Sequence, residues 1–168
     1  MRLLRKLGAI WGILGVTLLL GTAILRLAPH VQEAINLGMN SAQWLLLLLW
    51  SIYMLYTEGY RGFQKQFAPR VASRALHLLN HGRIIDIILA PFFCAGYFQT
   101  TKKRLIIAWT ATTLIILLII SVRHLSQPWR GVLDSGVVLG LSYGIVCLYI
   151  SVFRTFKSRK YIVNPEVA

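Results

Sequence analysis

Ile84-Ile85-Asp86-Ile87-Ile88-Leu89-Ala90-Pro91-Phe92-Phe93-Cys94-Ala95-Gly96-Tyr97-Phe98-Gln99-Thr100-Thr101, followed at once by Lys102-Lys103-Arg104, is the stretch whose reading decides the fold. Asp86 lies near its start and Pro91 near its middle. The uncharged remainder, Ile87 to Thr101, is shorter than the roughly 20 apolar residues that a helix needs to cross about 30 Å of hydrocarbon. Residues 84–101 therefore read as a re-entrant or interfacial segment.

On either side lie runs that are long enough. Residues 7–27 and 40–57 precede the segment, the second of these built around Leu45-Leu46-Leu47-Leu48-Leu49-Trp50. Residues 105–122 and 132–153 follow it. Charge placement tests the choice between four and five crossings, because short cytoplasmic loops collect Lys and Arg. With Met1 inside and residues 84–101 returning to their own side, the inside holds Arg2, Arg5, Lys6, Arg61, Lys65, Arg70, Arg74 and Arg83. Lys102, Lys103, Arg104, Arg154, Lys157, Arg159 and Lys160 join them, so of 18 cations only Arg26, Arg123 and Arg130 stay outside. A fifth crossing would move Lys102-Lys103-Arg104 or the basic tail outside. Aromatic residues agree: Trp44 and Trp129 fall at the outer boundary, and Tyr56, Tyr60, Trp109 and Tyr161 at or near the inner one.

Composition supports a lipid solvent. Hydrophobic residues make up 57% of the 168 and charged residues 14%. A soluble domain of this size would be left with large exposed apolar patches. The net charge of +13 would ordinarily suggest nucleic acid. Here no aromatic-interleaved basic motif or zinc-finger spacing accompanies it, so nucleic acid is not an expected partner. The expected partners are membrane lipids, with anionic headgroups on the cytoplasmic side drawing each surface cation by about 1 kcal/mol. The expected location is a bacterial inner (plasma) membrane, with both termini cytoplasmic. Arg2, Arg5 and Lys6 before an apolar run resemble a signal peptide, but Arg26-Leu27-Ala28-Pro29 offers no small-x-small site. An uncleaved first helix is expected.

Between the first two spans, Pro29 to Met39 reads as a short cap on the outer surface, with Pro29 at a helix start. On the inner side, Pro69 suits a helix start and Gly82 a helix end. Arg70, Arg74, His77 and His81 then recur at i, i+4, i+7 and i+11, and aliphatic residues fill the rest. That pattern predicts an amphipathic helix over 69–81 in the headgroup plane, with the stripe turned outward to lipid phosphate or an acidic partner.

Chemistry-bearing motifs are scarce. His77 and His81 stand four apart, as metal ligands can, but no third ligand accompanies them. No span holds a histidine for haem. There is no Gly-x-Ser-x-Gly turn. Cys94 and Cys147 lie in apolar runs and read as packed thiols. No cofactor, metal or catalytic residue is expected. Thr110, Thr112 and Thr113 put hydroxyls into the third span, most simply for interhelical or backbone bonding.

Glycines give the best-defined motif. Gly136, Gly140 and Gly144 recur every fourth residue in the last span, and Gly8 and Gly12 do so in the first, as close helix approach requires. Asp134 sits four residues after Arg130 and pairs with it on a continuous helix, or else serves as an ion or proton site.

These readings converge on one all-α domain over 1–168, a polytopic bundle of four transmembrane helices. A re-entrant or interfacial hairpin and a cytoplasmic-face amphipathic helix complete it. The expected function is non-enzymatic: a subunit or scaffold that works through glycine-lined packing and a basic face, as a homo-oligomer or in a larger membrane complex. An oligomeric channel or carrier comes second, and a membrane enzyme acting on a lipid or phosphorylated substrate third.

Overall fold

The computed structural model describes residues 2–167, and every regular element among them is helical. Three helices are long and apolar enough to cross a membrane: Leu3–Asn36, Lys102–Arg123 and Trp129–Ser158. The chain therefore has the make-up of an integral membrane protein. Met1 and Ala168, to which the sequence reading assigns the cytoplasmic side, lie outside the described residues.

Helix α1 (Arg2–Asn36) runs straight through Pro29, so the expected separate cap at Pro29 to Met39 does not form. Packing explains the continuity: Ala34 is fully buried, and its Cβ lies against the bare backbone of Gly131. That contact draws the end of α1 onto the start of the last helix. Gly38, at φ +80°, then turns the chain. Asn40 caps α2 (Ser41–Met54) in a reciprocal box, its side chain accepting from the Gln43 N–H while Gln43 Oε1 accepts from the Asn40 N–H.

At 14 residues α2 would rise only about 21 Å as an α-helix. It does not stop there. A π-helical stretch, Leu55–Phe67, carries it without a break into α3 (Ala68–His81). Gly82 ends α3, donating its N–H to Leu78 O at 2.9 Å. Two short helices follow, α4 (Ile84–Ile88) and α5 (Ala90–Ala95), and then α6 (Lys102–Arg123) and α7 (Trp129–Ser158).

Specific contacts set the directions. Trp50 Nε1 donates to Leu133 O at 3.0 Å, and Tyr143 donates to Gln64 Oε1. The rod from Ser41 to His81 thus runs parallel to α7. Gly131 of α7 meets Ala34 of α1, while Arg5 bonds Gly82 O and Asn80 O, so α1 is antiparallel to both. These three rods make the bundle, and their buried core joins Ala9, Val16, Val71, Leu78, Phe93 and Leu148.

Residues 84–95 climb α1 from its first turns. Ile87 lies over Gly8, Ala90 and Cys94 over Gly12, and Pro91 over Gly15. Gly96, at φ +88°, turns the chain, and it reaches α6 at Lys102. No residue of α6 is buried, whereas α1, α3 and α7 each bury a face.

The predicted amphipathic helix needs correcting in its orientation. Residues 69–81 do form a helix, but α3 is buried on nearly every side, including Ala72, Ser73, Arg74, Ala75 and Leu76. With α1, α5 and α7 packed around it, it has no free aliphatic face to lay on lipid. Of its polar stripe, Arg74 points inward at the hairpin, Arg70 and His77 are half-buried, and His81 is exposed.

Candidate functional site

Arg74 shows what the inward part of the stripe does. It is only 3% exposed, and its guanidinium donates to four backbone carbonyls. Nε reaches Phe93 O at 2.6 Å, Nη1 reaches Pro165 O at 2.9 Å, and Nη2 reaches Phe98 O at 2.9 Å and Gln99 O at 3.2 Å. Its charge also lies 4.2 Å above the Phe93 ring. Three of those carbonyls belong to the stretch where α5 ends and the chain unwinds. Carbonyls without helical partners are tolerated in an apolar region only when protein satisfies them. Arg74 therefore holds the hairpin and the segment after α7 together, and is not available to a headgroup.

Burial, opposed by the charges of Cys94, Glu166 and Asp86, pulls the Arg74 pKa below its ordinary value. His77 stacks on His81, with centroids 5.1 Å apart, and on Phe93 at 6.3 Å. Burial first, then the charges of His81 and Arg74, hold its imidazole below the usual value against a smaller pull from Asp86. A lowered pKa means that the unfolded chain binds the proton more tightly. The contribution of His77 is then complete above its unfolded pKa of about 6.5, and it is lost as pH falls through the folded value. The thermal midpoint in detergent should drop between about pH 7.5 and about pH 5.5, and drop less in His77→Gln. An identical fall in the variant would assign the effect to another group.

Arg70 is half-exposed. Among the described residues its only side-chain bond is a long one, Nη2 to Gln66 Oε1 at 3.5 Å. Beside it, Arg104 at the base of α6 holds Glu166 in a two-pronged ion pair, at 2.8 and 3.4 Å. Burial first, then Arg104, lowers the Arg70 pKa, and Glu166 partly restores it. A cavity of about 80 Å³ lies here, with a largely apolar wall that includes Val71, Ile107 and Ala108 and with Arg70, Arg74, Arg104 and Glu166 as its charged groups. Three guanidinium groups and one carboxylate thus share a single opening, an arrangement suited to an anion.

Of the stripe singled out from the sequence, Arg70 lines this opening, Arg74 backs it, and His77 and His81 lie further along α3 toward Gly82. Arg104 and Glu166 were missed by sequence reasoning. Glu166 is one of only five acids in the chain, and it stands in a strongly basic tail. That isolation was the one available signal.

The glycine faces are occupied within the chain. A Cβ on Gly136 would sit 2.7 Å from the Trp50 ring, and one on Gly144 2.6 Å from Phe63. Gly140 is looser, its nearest neighbour being Glu58 Cβ at 3.4 Å. Gly8 and Gly12 receive Leu78, Ile87 and Cys94, and Gly15, which the spacing argument passed over, receives Pro91.

At the far end, Asp134 is 4% exposed and lies 3.8 Å from Arg130 across one helical turn. Arg130 Nη2 donates to His30 Nε2 at 2.7 Å, with the ring nitrogen as acceptor. Gln127 bonds His30 O and Glu33, closing a polar clasp between α1 and α7. Among the described residues, no group of three or more His, Cys, Asp or Glu side chains is placed to hold a metal. Cys94 and Cys147 are free and buried. No family model matches the chain, and no curated protein or solved structure is similar to it.

Proposed function

We propose that this chain is a non-enzymatic membrane subunit or scaffold, crossing the bilayer four times and engaging anionic lipid with a basic cytoplasmic end. The observation that carries this reading is the sorting of charge along the bundle. One end gathers Arg5, Lys6 and Arg83, near the contact of Arg5 with Gly82 O, with Lys157 and Lys160 at the close of α7, and Lys102 and Lys103 open α6 beside Arg104. The other end, near the contact of His30 with Arg130, carries Glu33 and Asp134 and few cations. Cations kept on one side are the mark of a cytoplasmic face.

Four crossings follow if residues 40–57, which open the rod, count as one leg beside α1, α6 and α7. The hairpin supports a re-entrant reading. It rises beside α1 only as far as Gly15, and Ile84, Ile85, Ile88 and Phe92 are each more than half exposed. Together with Leu7, Ile10 and Trp11 on α1, they make an apolar surface fit for lipid. On the other flank, Arg61, Gln64 and Lys65 are exposed. Because the glycine grooves are filled internally, α6 is the helix left for a membrane partner. A homo-oligomer and a larger complex both use it.

Two measurements test this. Single cysteines at Lys103 and Ser158 should stay shielded from an impermeant reagent added outside, and one at Ser126, an exposed position, should react. Reaction at position 103 from outside would end the re-entrant topology. Extraction in mild detergent should bring down a stable membrane partner or second copy, and a photo-crosslinker at Leu117 should capture it. A partner-free monomer that conducts ions or solute in liposomes would replace the scaffold with a channel or carrier, for which buried Asp134 is the acidic candidate.

A further inference from the structure

We infer that the opening between Arg70 and Arg104 is a phosphate site, and that Glu166 of this same chain is its displaceable occupant. The inference rests on the basic-face reading above and names the group that this face selects.

The charges do not balance as they stand. Among the described residues, Arg70 has no acidic partner, Arg74 is bonded to carbonyls alone, and one carboxylate answers all three guanidinium groups. Arginine forks match phosphate oxygens as well as they match a carboxylate, and a phosphate offers more acceptors than Glu166 does. Room is adequate: a single water needs roughly 10–15 Å³ of such space, and the cavity holds about 80 Å³. Arg104 stands in the uncapped first turn of α6, directly after the exposed Lys102 and Lys103.

The occupant is held as a competitor would be held. The segment carrying Glu166 is not helical, and it lies on the bundle through a few separable contacts. Val163 N–H reaches Ser73 Oγ at 3.3 Å, Pro165 O accepts from Arg74, and Glu166 takes Arg104. Glu166 itself has φ +49°, in the left-handed region that a glutamate seldom occupies. An arriving phosphate takes over Arg104, adds Arg70, and frees the segment. The apparent affinity falls with the fraction of molecules whose site is closed. A tail bound about nine-tenths of the time therefore masks about tenfold in affinity.

The phosphate has two possible sources, a lipid headgroup or the free anion, and the test uses both. Full-length protein in detergent is titrated with dihexanoyl phosphatidic acid and, separately, with inorganic phosphate. Glu166→Gln should tighten binding about tenfold, and Arg70→Gln in that background should undo the gain. A cysteine at Val167, which packs on the core, should react faster when ligand is present. Tightening in the lipid arm alone assigns the site to headgroups, and tightening in both arms assigns it to phosphate itself. Among the described residues Arg70 has no structural bond beyond Gln66, so its loss leaves the fold in place. Equal affinity of wild type and Glu166→Gln in both arms overturns the inference, as does labelling at position 167 that ignores ligand. Loss of phosphate binding while a partner still co-purifies sinks this inference alone. Phosphate binding without any partner sinks only the scaffold.

Discussion

Arg74→Gln is expected to detach the hairpin from the bundle, with a loss of about 1–3 kcal/mol for each backbone carbonyl left without a donor. The substitution takes away the donors that satisfy Phe93 O, Phe98 O, Gln99 O and Pro165 O. Phe93 O keeps the Gly96 N–H at 3.0 Å, but the two N–H bonds and shorter reach of glutamine leave at least one of the other three carbonyls bare, at about 1–3 kcal/mol. Proteolysis in detergent should open first between Phe98 and Thr100, which lie between the last backbone bonds of α5 and the first of α6. Arg74→Lys should fall between the two, because an ammonium keeps the charge but cannot spread donors over four acceptors in a plane. If Arg74→Gln melts within a degree or two of wild type with its cleavage pattern unchanged, the carbonyls are satisfied in some other way.

A graded glycine series should give the second large effect. Gly131→Ala places its methyl 2.3 Å from Ala34 Cβ and 2.6 Å from the backbone carbonyl of His30. Backbone cannot swing aside as a side chain can, so α1 and α7 must separate at their shared end. Overpacking of this kind costs about 1–3 kcal/mol or more, and here the His30–Arg130 contact goes with it. Gly15→Ala, against the Pro91 ring at 2.3 Å, should be nearly as harmful. Gly140→Ala should be mild, because its added methyl meets only ordinary contacts. Thermal midpoints in one detergent would rank the three. Equal behaviour of Gly131→Ala and Gly140→Ala would show that the close approach at Gly131 is not needed.

Much of this fold could be read from hydrophobicity. The apolar runs at 7–27, 105–122 and 132–153 lie inside long helices because lipid-compatible residues without charge have few other uses. The continuity of Ser41 to His81 was hidden, since Gly59, Gly62 and a cluster of polar residues look like a connection. Pro29 likewise reads as a start, and only the distant contact of Ala34 with Gly131 keeps its helix going. For the site, periodicity shows that Arg70, Arg74, His77 and His81 share a face. It cannot show which way that face turns, because direction is decided by neighbours far along the chain. Arg104 and Glu166 are 62 residues apart, beyond the reach of any local pattern.

The π-helical stretch Leu55–Phe67 has a consequence for angular phase. Its 13 residues advance the chain more slowly around the axis than an α-helix would. With roughly 4.4 residues per turn in place of 3.6, the shortfall is about two-thirds of a revolution over that length. The stretch therefore acts as the dial that sets the heading of α3 relative to α2. Wound as an α-helix, it would carry Arg74 away from Phe93 and Pro165 and leave the hairpin without its clamp. Deleting a single residue here changes the heading by more than any side-chain substitution can.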